Sequence, residues 1–145
     1  MKKKILVTRK LLVENEEKLK KLFDVKLNSK DELYTSKKIL ELSKDCDGIL
    51  SAITDQFNKD LVEKLSPSVK IIANFAVGFG NIDVNAAIKK NIVVTNTPEV
   101  LDDSTADISI LLLLGASRKV LEARRAAELQ NWKWSADFML GKQMS

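Results

Sequence analysis

The sequence predicts an α/β fold, a doubly wound parallel sheet of about five strands, followed by one long helix. Short apolar runs alternate with segments of helical periodicity from Ile5 to Val94, which is typical of parallel strands joined by helices. The runs are apolar throughout, as expected of strands covered on both faces. Because the chain has 145 residues, it holds one domain or one and a fraction. We therefore expect a flavodoxin-like domain with an additional helical segment.

Each predicted element follows from its own residues. The branched run Ile5-Leu6-Val7 favours a buried strand, and the leucines of 12–23 have helical spacing. The remaining predicted strands are 25–27, 48–50, 70–75 and 92–94, and the remaining helices of the sheet domain are 33–42, 59–65 and 84–90.

The long helix is predicted over 106–130, with Asp103 or Ser104 as its N-cap. A single helix of that length measures about 37 Å at 1.5 Å per residue. Its first half is apolar nearly all round, so one small sheet cannot bury it. We therefore expect a homodimer through 106–130.

Composition excludes several function classes. The net charge of +4 comes from lysines spread among acids, so no nucleic-acid surface is predicted. The longest apolar stretch, 108–116, is shorter than the roughly 18 residues of a membrane span, and no membrane partner is expected. A lone cysteine, Cys46, indicates a reducing, cytoplasmic location. The absence of histidine removes the usual general acid or base.

The stretch "NFAVGFGNID", residues 74–83, is the candidate binding site. It follows the predicted fourth strand, and ligands of doubly wound sheets collect beyond the carboxyl ends of the strands. It contains Gly78 and Gly80, two of only 5 glycines in the chain. Two interpretations are open: a tight turn with no ligand, or a backbone that approaches an anion.

The segments "KIIANFAVGFGNIDVNAA", "VVTNTPEVLDDSTADISILLLLGASR" and "NWKW" resemble the D-isomer-specific 2-hydroxyacid dehydrogenase family, in particular its glyoxylate and hydroxypyruvate reductases. The resemblance implies an incomplete flavodoxin-like substrate domain over 1–98. It implies that 99–145 holds the long helix and the start of a cofactor domain, truncated before the G-x-G-x-x-G loop that binds NAD or NADP. The family's catalytic Arg, Glu and His are expected beyond Ser145.

The resemblance also assigns roles to residues present here. Backbone amides near Val77 and Gly78 are expected to hold the substrate carboxylate, and Ser51 and Ala52 to line the same pocket. Thr105 is expected near the nicotinamide of the cofactor. No catalytic residue and no metal ligand is expected in this chain, so the chain alone is predicted to be inactive and to bind no dinucleotide tightly.

Two other functions remain open at this stage. One is a non-catalytic dimerisation or regulatory remnant of such a dehydrogenase. The other is a receiver-like signalling module on the same fold, since fold alone does not define function. A receiver requires acidic residues after the first strand and an Asp after the third, where this sequence has Thr8-Arg9 and Ser51-Ala52.

Overall fold

The computed structural model describes residues 2–130 and 132–143. The strands are β1 (Lys4–Val7), β2 (Asp24–Lys26), β3 (Gly48–Ala52), β4 (Ile71–Phe75) and β5 (Val93–Thr95). The helices are α1 (Val13–Leu22), α2 (Ser36–Ser43), α3 (Lys59–Lys64), α4 (Val84–Lys89), α5 (Asp102–Ser117) and α6 (Val120–Leu129). The chain divides into two compact units, Met1–Glu99 and Val100–Ser145.

The first unit is built on a parallel sheet with strand order β2-β1-β3-β4-β5. This order is that of the doubly wound flavodoxin-like fold, so the predicted fold class is confirmed. The carboxyl ends of β1, β3 and β4 are neighbours in this order, and the loops that follow these strands therefore lie at one edge of the sheet.

One face of the sheet carries the hydrophobic core. Strand residues Leu6, Ile49 and Ile72 are at most 1% exposed and belong to one cluster with buried side chains of α2, α3 and α4. The opposite face is less covered. It carries Phe75 and Val93, which are 60% and 57% exposed. A groove of about 480 Å³ lies on the sheet beside α1.

Helix α2 begins later than predicted, at Ser36 rather than residue 33. Thr35 is its N-cap, and the Thr35 hydroxyl accepts a hydrogen bond from the Lys38 N–H at 3.3 Å. A threonine in this role satisfies one of the N–H groups that the first turn leaves without a partner. The apolar residue Leu33 therefore precedes the helix instead of starting it.

The prediction of one unbroken helix over 106–130 is wrong. Two helices, α5 and α6, are separated by Arg118 and by Lys119, whose φ of 53° is left-handed. The carbonyl of Ser117 accepts a hydrogen bond from the Lys142 N–H at 2.8 Å, so the returning chain takes the bond that a continuing helix would use. Gly141 permits this approach, because a Cβ there would collide with the Ser117 carbonyl oxygen.

The predicted cap of the long helix is also wrong. Helix α5 begins at Asp102, and its N-cap is Leu101, which has no side-chain oxygen to offer. Asp102 and Asp103 instead occupy the first turn, where negative charge is favourable at the positive end of the helix dipole. No described residue of α5 or α6 is buried.

Candidate functional site

The turn that follows β4, residues 76–80, has an unusual hydrogen-bonding pattern. Its carbonyl oxygens are held: Val77 accepts from the Asn96 side chain at 2.7 Å, and Gly78 accepts from the Asn74 side chain at 2.9 Å. The Phe79 carbonyl accepts from the Ile82 N–H at 3.0 Å. Within residues 2–130 and 132–143, no hydrogen bond is donated by the N–H groups of residues 77–80. The four residues are exposed, and their N–H groups have no partner among the described residues, while the backbone is tethered through its carbonyls.

The two glycines of this turn are not required by its geometry. Neither Gly78 nor Gly80 has a positive φ, so the turn does not need the left-handed conformation that glycine favours. A Cβ at either position would meet no atom within 4 Å. Open space in front of free N–H groups is what a small anion needs in order to approach a backbone. A side chain at Gly78 would therefore not conflict with the turn's dihedral angles.

The other predicted pocket residues, Ser51 and Ala52, are the last two residues of β3. Ser51 is only 2% exposed, and its hydroxyl donates to Asn74 Oδ1 at 3.0 Å. The Ser51 side chain therefore belongs to the interior of the domain. Ala52 is half-buried, and its N–H donates to Asp55 Oδ2 at 2.8 Å. Of this pair, Ala52 has the more accessible surface at the edge of the sheet.

A set of buried polar side chains connects the end of β3 and the loop after it to the 77–80 turn. Asn74, Asn81 and Asp55 are 2%, 7% and 2% exposed. Asn74 Nδ2 donates to Asn81 Oδ1 at 3.0 Å, and Asn81 Nδ2 donates to the Asp55 carbonyl at 2.9 Å. Our sequence interpretation did not include these residues. The available signal was an asparagine within an otherwise apolar strand, since a buried amide requires partners nearby.

The arginine at the end of β1 is engaged by an acid. Arg9 donates through Nε and Nη2 to the two carboxylate oxygens of Asp31, at 2.7 and 2.9 Å, and through Nη1 to Thr54 Oγ1 at 2.7 Å. The guanidinium of Arg9 and the N–H of Lys10 hold the pKa of the Asp31 carboxyl well below its usual range. Arg9 therefore fixes the β1 end to its neighbouring loops instead of offering a free charge.

Thr105 lies in the first turns of α5, in the second unit, and is exposed. Its N–H donates to the Leu101 carbonyl at 2.9 Å, and its carbonyl accepts from the Ser109 hydroxyl at 2.7 Å. Both are bonds of the helix itself, so the role predicted for Thr105 toward a cofactor stays a prediction.

The helix that follows the 77–80 turn already has a negatively charged cap, which is unfavourable for a dinucleotide pyrophosphate at that helix N-terminus. Such a group needs a glycine-rich turn that leads to the N–H groups at the start of a helix. Here Asp83 caps α4, and its carboxylate accepts from the Ala86 N–H at 2.9 Å. A negative charge thus occupies the position that a phosphate would take.

The described residues contain no group of three or more His, Cys, Asp or Glu side chains arranged to hold a metal ion. None of the helices in the described part of the chain combines the length and apolarity that crossing a bilayer requires.

The doubly wound sheet and the donor-rich turn at its carboxyl edge define an α/β domain suited to binding a small anion. The catalytic-domain pattern of the D-isomer specific 2-hydroxyacid dehydrogenases matches residues 5–137. The chain therefore belongs to that family, as its resemblance implied.

Individual proteins support this assignment. The chain is 42% identical to a glyoxylate reductase of Korarchaeum cryptofilum over 97% of its own length and 43% of that relative. It matches the structure of an NADPH-dependent glyoxylate/hydroxypyruvate reductase from Sinorhizobium meliloti, solved with NADP and malonate, with a TM-score of 0.74 and 31% identity. That alignment covers 91% of this chain and 40% of the other. A glyoxylate reductase from Paecilomyes thermophila aligns over 97% and 45%, with a TM-score of 0.74 and 28% identity.

The chain thus spans less than half the length of these relatives.

Proposed function

We propose that this chain is the substrate-recognition part of an NAD(P)-dependent oxidoreductase that reduces small 2-oxo acids, such as glyoxylate and hydroxypyruvate, to D-2-hydroxy acids. The observation that carries the proposal is the turn at 77–80, whose N–H groups are free among the described residues while its carbonyls are tethered. Family membership and the names of the relatives support the proposed substrate class.

Recognition of the carboxylate rests on backbone groups. The N–H groups of Val77 and Gly78 donate to the carboxylate oxygens, and Ala52 forms a wall of the same pocket. Because Gly78 has no side chain, the anion reaches the N–H groups directly. Hydrogen bonds to an ionised acceptor are stronger than those between neutral groups, and a tethered turn does not need to reorganise in order to form them.

The cofactor of the whole protein is NAD or NADP, which supplies the hydride when bound. The Asp83 cap of α4 supports the proposal that the pyrophosphate does not bind beside the 77–80 turn. Thr105 is the residue of this chain proposed to contact the cofactor. Without histidine, the chain has no counterpart of the usual proton donor for the carbonyl oxygen. It is therefore expected to contribute binding and no chemical step.

A second copy of the chain is the proposed partner of the helices. In α5 the side chains of Leu111, Leu112 and Leu113 are 62%, 66% and 55% exposed, and in α6 Leu121 is 71% exposed. Apolar side chains on adjacent positions of a helix require cover on more than one side. A homodimer through 106–130 provides it.

The carboxylate site is tested by titrating oxalate into the ¹⁵N-labelled chain and following backbone amide shifts. Oxamide, which has the same shape without the charge, is the matched control. We expect saturable shifts at residues 77–80 with a dissociation constant on the order of millimolar, about 4 kcal/mol, and none with oxamide. If these amides stay still while others move, or if oxamide produces the same shifts, the proposed site is wrong.

A further inference from the structure

We propose that Asn74 and Asn81 are positioning residues that hold the 77–80 turn in its anion-binding geometry, an inference that rests on the proposed carboxylate site. Neither side chain reaches the exposed face of the turn, since both are buried. Their effect on a bound carboxylate is therefore exerted through the backbone that they hold.

The two amides form a continuous link between the loop after β3 and the turn after β4. Asn74 lies beside Ser51 in the sheet register and accepts from its hydroxyl at 3.0 Å. Asn74 Nδ2 then donates to the Gly78 carbonyl at 2.9 Å and to Asn81 Oδ1 at 3.0 Å. Asn81 Nδ2 completes the link by donating to the carbonyls of Ala52 and Asp55, at 3.2 and 2.9 Å.

Every hydrogen of the two amides is used in this link. Each Nδ2 has two hydrogens; Asn74 Nδ2 has two acceptors, and Asn81 Nδ2 has the two carbonyls together with Asn74 Oδ1 at 3.4 Å. A buried amide without partners destabilises a fold by roughly 1–3 kcal/mol, so the geometry in which all donors are satisfied is strongly preferred. The link thus selects one position of the Gly78 carbonyl relative to Ala52.

Fixing the Gly78 carbonyl also fixes the direction of the adjacent N–H groups. A peptide unit is planar, so an anchored Gly78 carbonyl sets the orientation of the Phe79 N–H in the same plane. The Val77 carbonyl, held by Asn96, sets the Gly78 N–H in the same way. In a trans peptide the N–H points opposite to the carbonyl, so the N–H groups of Gly78 and Phe79 point away from the Asn96 and Asn74 side chains. The buried side of the turn thereby determines what its exposed side can bind.

The substitution Asn74→Asp tests this inference with nearly unchanged volume. A carboxylate can still accept from Ser51, but it cannot donate, so the Gly78 carbonyl and Asn81 Oδ1 each face an acceptor. The matched control is Asn85→Asp on α4, an exposed position that undergoes the same change of charge. A second control, Ile39→Val in the core, destabilises the domain away from the turn.

Two measurements separate positioning from general stability. One is the oxalate dissociation constant from amide shifts, taken well below each variant's melting temperature. The other is the ¹⁵N order parameter of residues 77–80 without ligand. For Asn74→Asp we expect at least tenfold weaker binding and order parameters that fall from about 0.85 to below about 0.6, values typical of rigid and flexible backbone. Both controls should retain the original affinity and order.

The outcomes distinguish this inference from the proposed function. If Asn74→Asp is folded and binds oxalate within twofold of the original chain, or if its turn stays rigid, the positioning role is wrong. If the original chain binds no oxalate but Asn74→Asp loosens the turn, the amides hold the turn as inferred and the proposed carboxylate site fails. Should Asn74→Asp not fold, Ser51→Ala removes only one bond of the link, and a two- to threefold weakening with higher mobility is expected. Unchanged binding and mobility in Ser51→Ala would then overturn the inference.

Discussion

Replacing Gly78 by alanine is expected to remove anion binding while leaving the domain folded. An added Cβ meets no protein atom within 4 Å, and the residue does not have a positive φ. The native contacts therefore remain. Because alanine has less conformational freedom than glycine in the unfolded chain, the free energy of unfolding should rise by about 0.4–1 kcal/mol.

Although Gly78→Ala should stabilise the fold, it is expected to weaken the binding of oxalate. The methyl group stands beside the N–H groups where the carboxylate is proposed to approach. Since a millimolar complex has only about 4 kcal/mol of binding free energy, a tenfold loss removes about a third of it. We expect the oxalate dissociation constant of Gly78→Ala to rise at least tenfold, which places it beyond the range of the amide-shift titration.

Gly48→Ala is the contrasting variant. In the middle of the sheet, a Cβ at Gly48 would lie 2.8 Å from Ile71 Cγ2 and 3.2 Å from Ile5 Cδ1. Overpacking of this kind destabilises by roughly 1–3 kcal/mol. Urea unfolding followed by circular dichroism measures both variants. The reasoning is refuted if Gly78→Ala binds oxalate as the original chain does, or if it is destabilised as strongly as Gly48→Ala.

The remaining predictions concern activity, association and pH. The chain alone should show no glyoxylate reduction and no NADH or NADPH binding in the micromolar range by calorimetry, and either observation would contradict the proposed division of roles. Sedimentation velocity at tens of micromolar should give a dimer, and the double variant Leu112→Glu, Leu121→Glu should give a folded monomer, because both leucines are exposed in the single chain. A monomeric original chain would contradict the dimer. Asp31→Asn should lower the free energy of unfolding at pH 7. Because the folded pKa of Asp31 lies below its ordinary value of 3.8, its contribution is present above that pH and is lost as the pH falls through the folded pKa. The difference between variant and original should therefore shrink at pH 2, and a difference that is equal at both pH values would argue against the Arg9 pairing as its cause.

The sheet was predictable because its signal is local and repeated. Each strand is a short branched apolar run, and the helices between them have a different period, so type and order of the elements follow from the sequence. The break between α5 and α6 was not predictable in this way. Arg118 and Lys119 are good helix formers, and the helix ends because the Ser117 carbonyl bonds to Lys142, a contact distant in sequence.

In the candidate site, too, features that depend on local sequence were predictable and features that depend on distant contacts were not. The position of residues 77–80 follows from the strand that precedes them and from their glycines. The contacts of Ser51 and Asn74 do not follow from the local sequence, because they depend on which residues of β3 and β4 face each other. The lining role predicted for Ser51 stays a prediction, and the hydrogen bond of its buried hydroxyl to Asn74 was not foreseen. Register between strands is set by the whole sheet, and a single strand does not reveal it.

The arrangement also explains why this part of the protein should bind its anion weakly. The turn offers dipoles of N–H groups, and the nearby Arg9 is already paired with Asp31 in a two-point ion pair. A carboxylate leaving water thus gains hydrogen bonds without a full opposite charge to offset its desolvation. In the proposed enzyme, tight binding of the substrate would therefore require a cation contributed by the rest of the protein, because the turn of this chain supplies hydrogen bonds without a full positive charge.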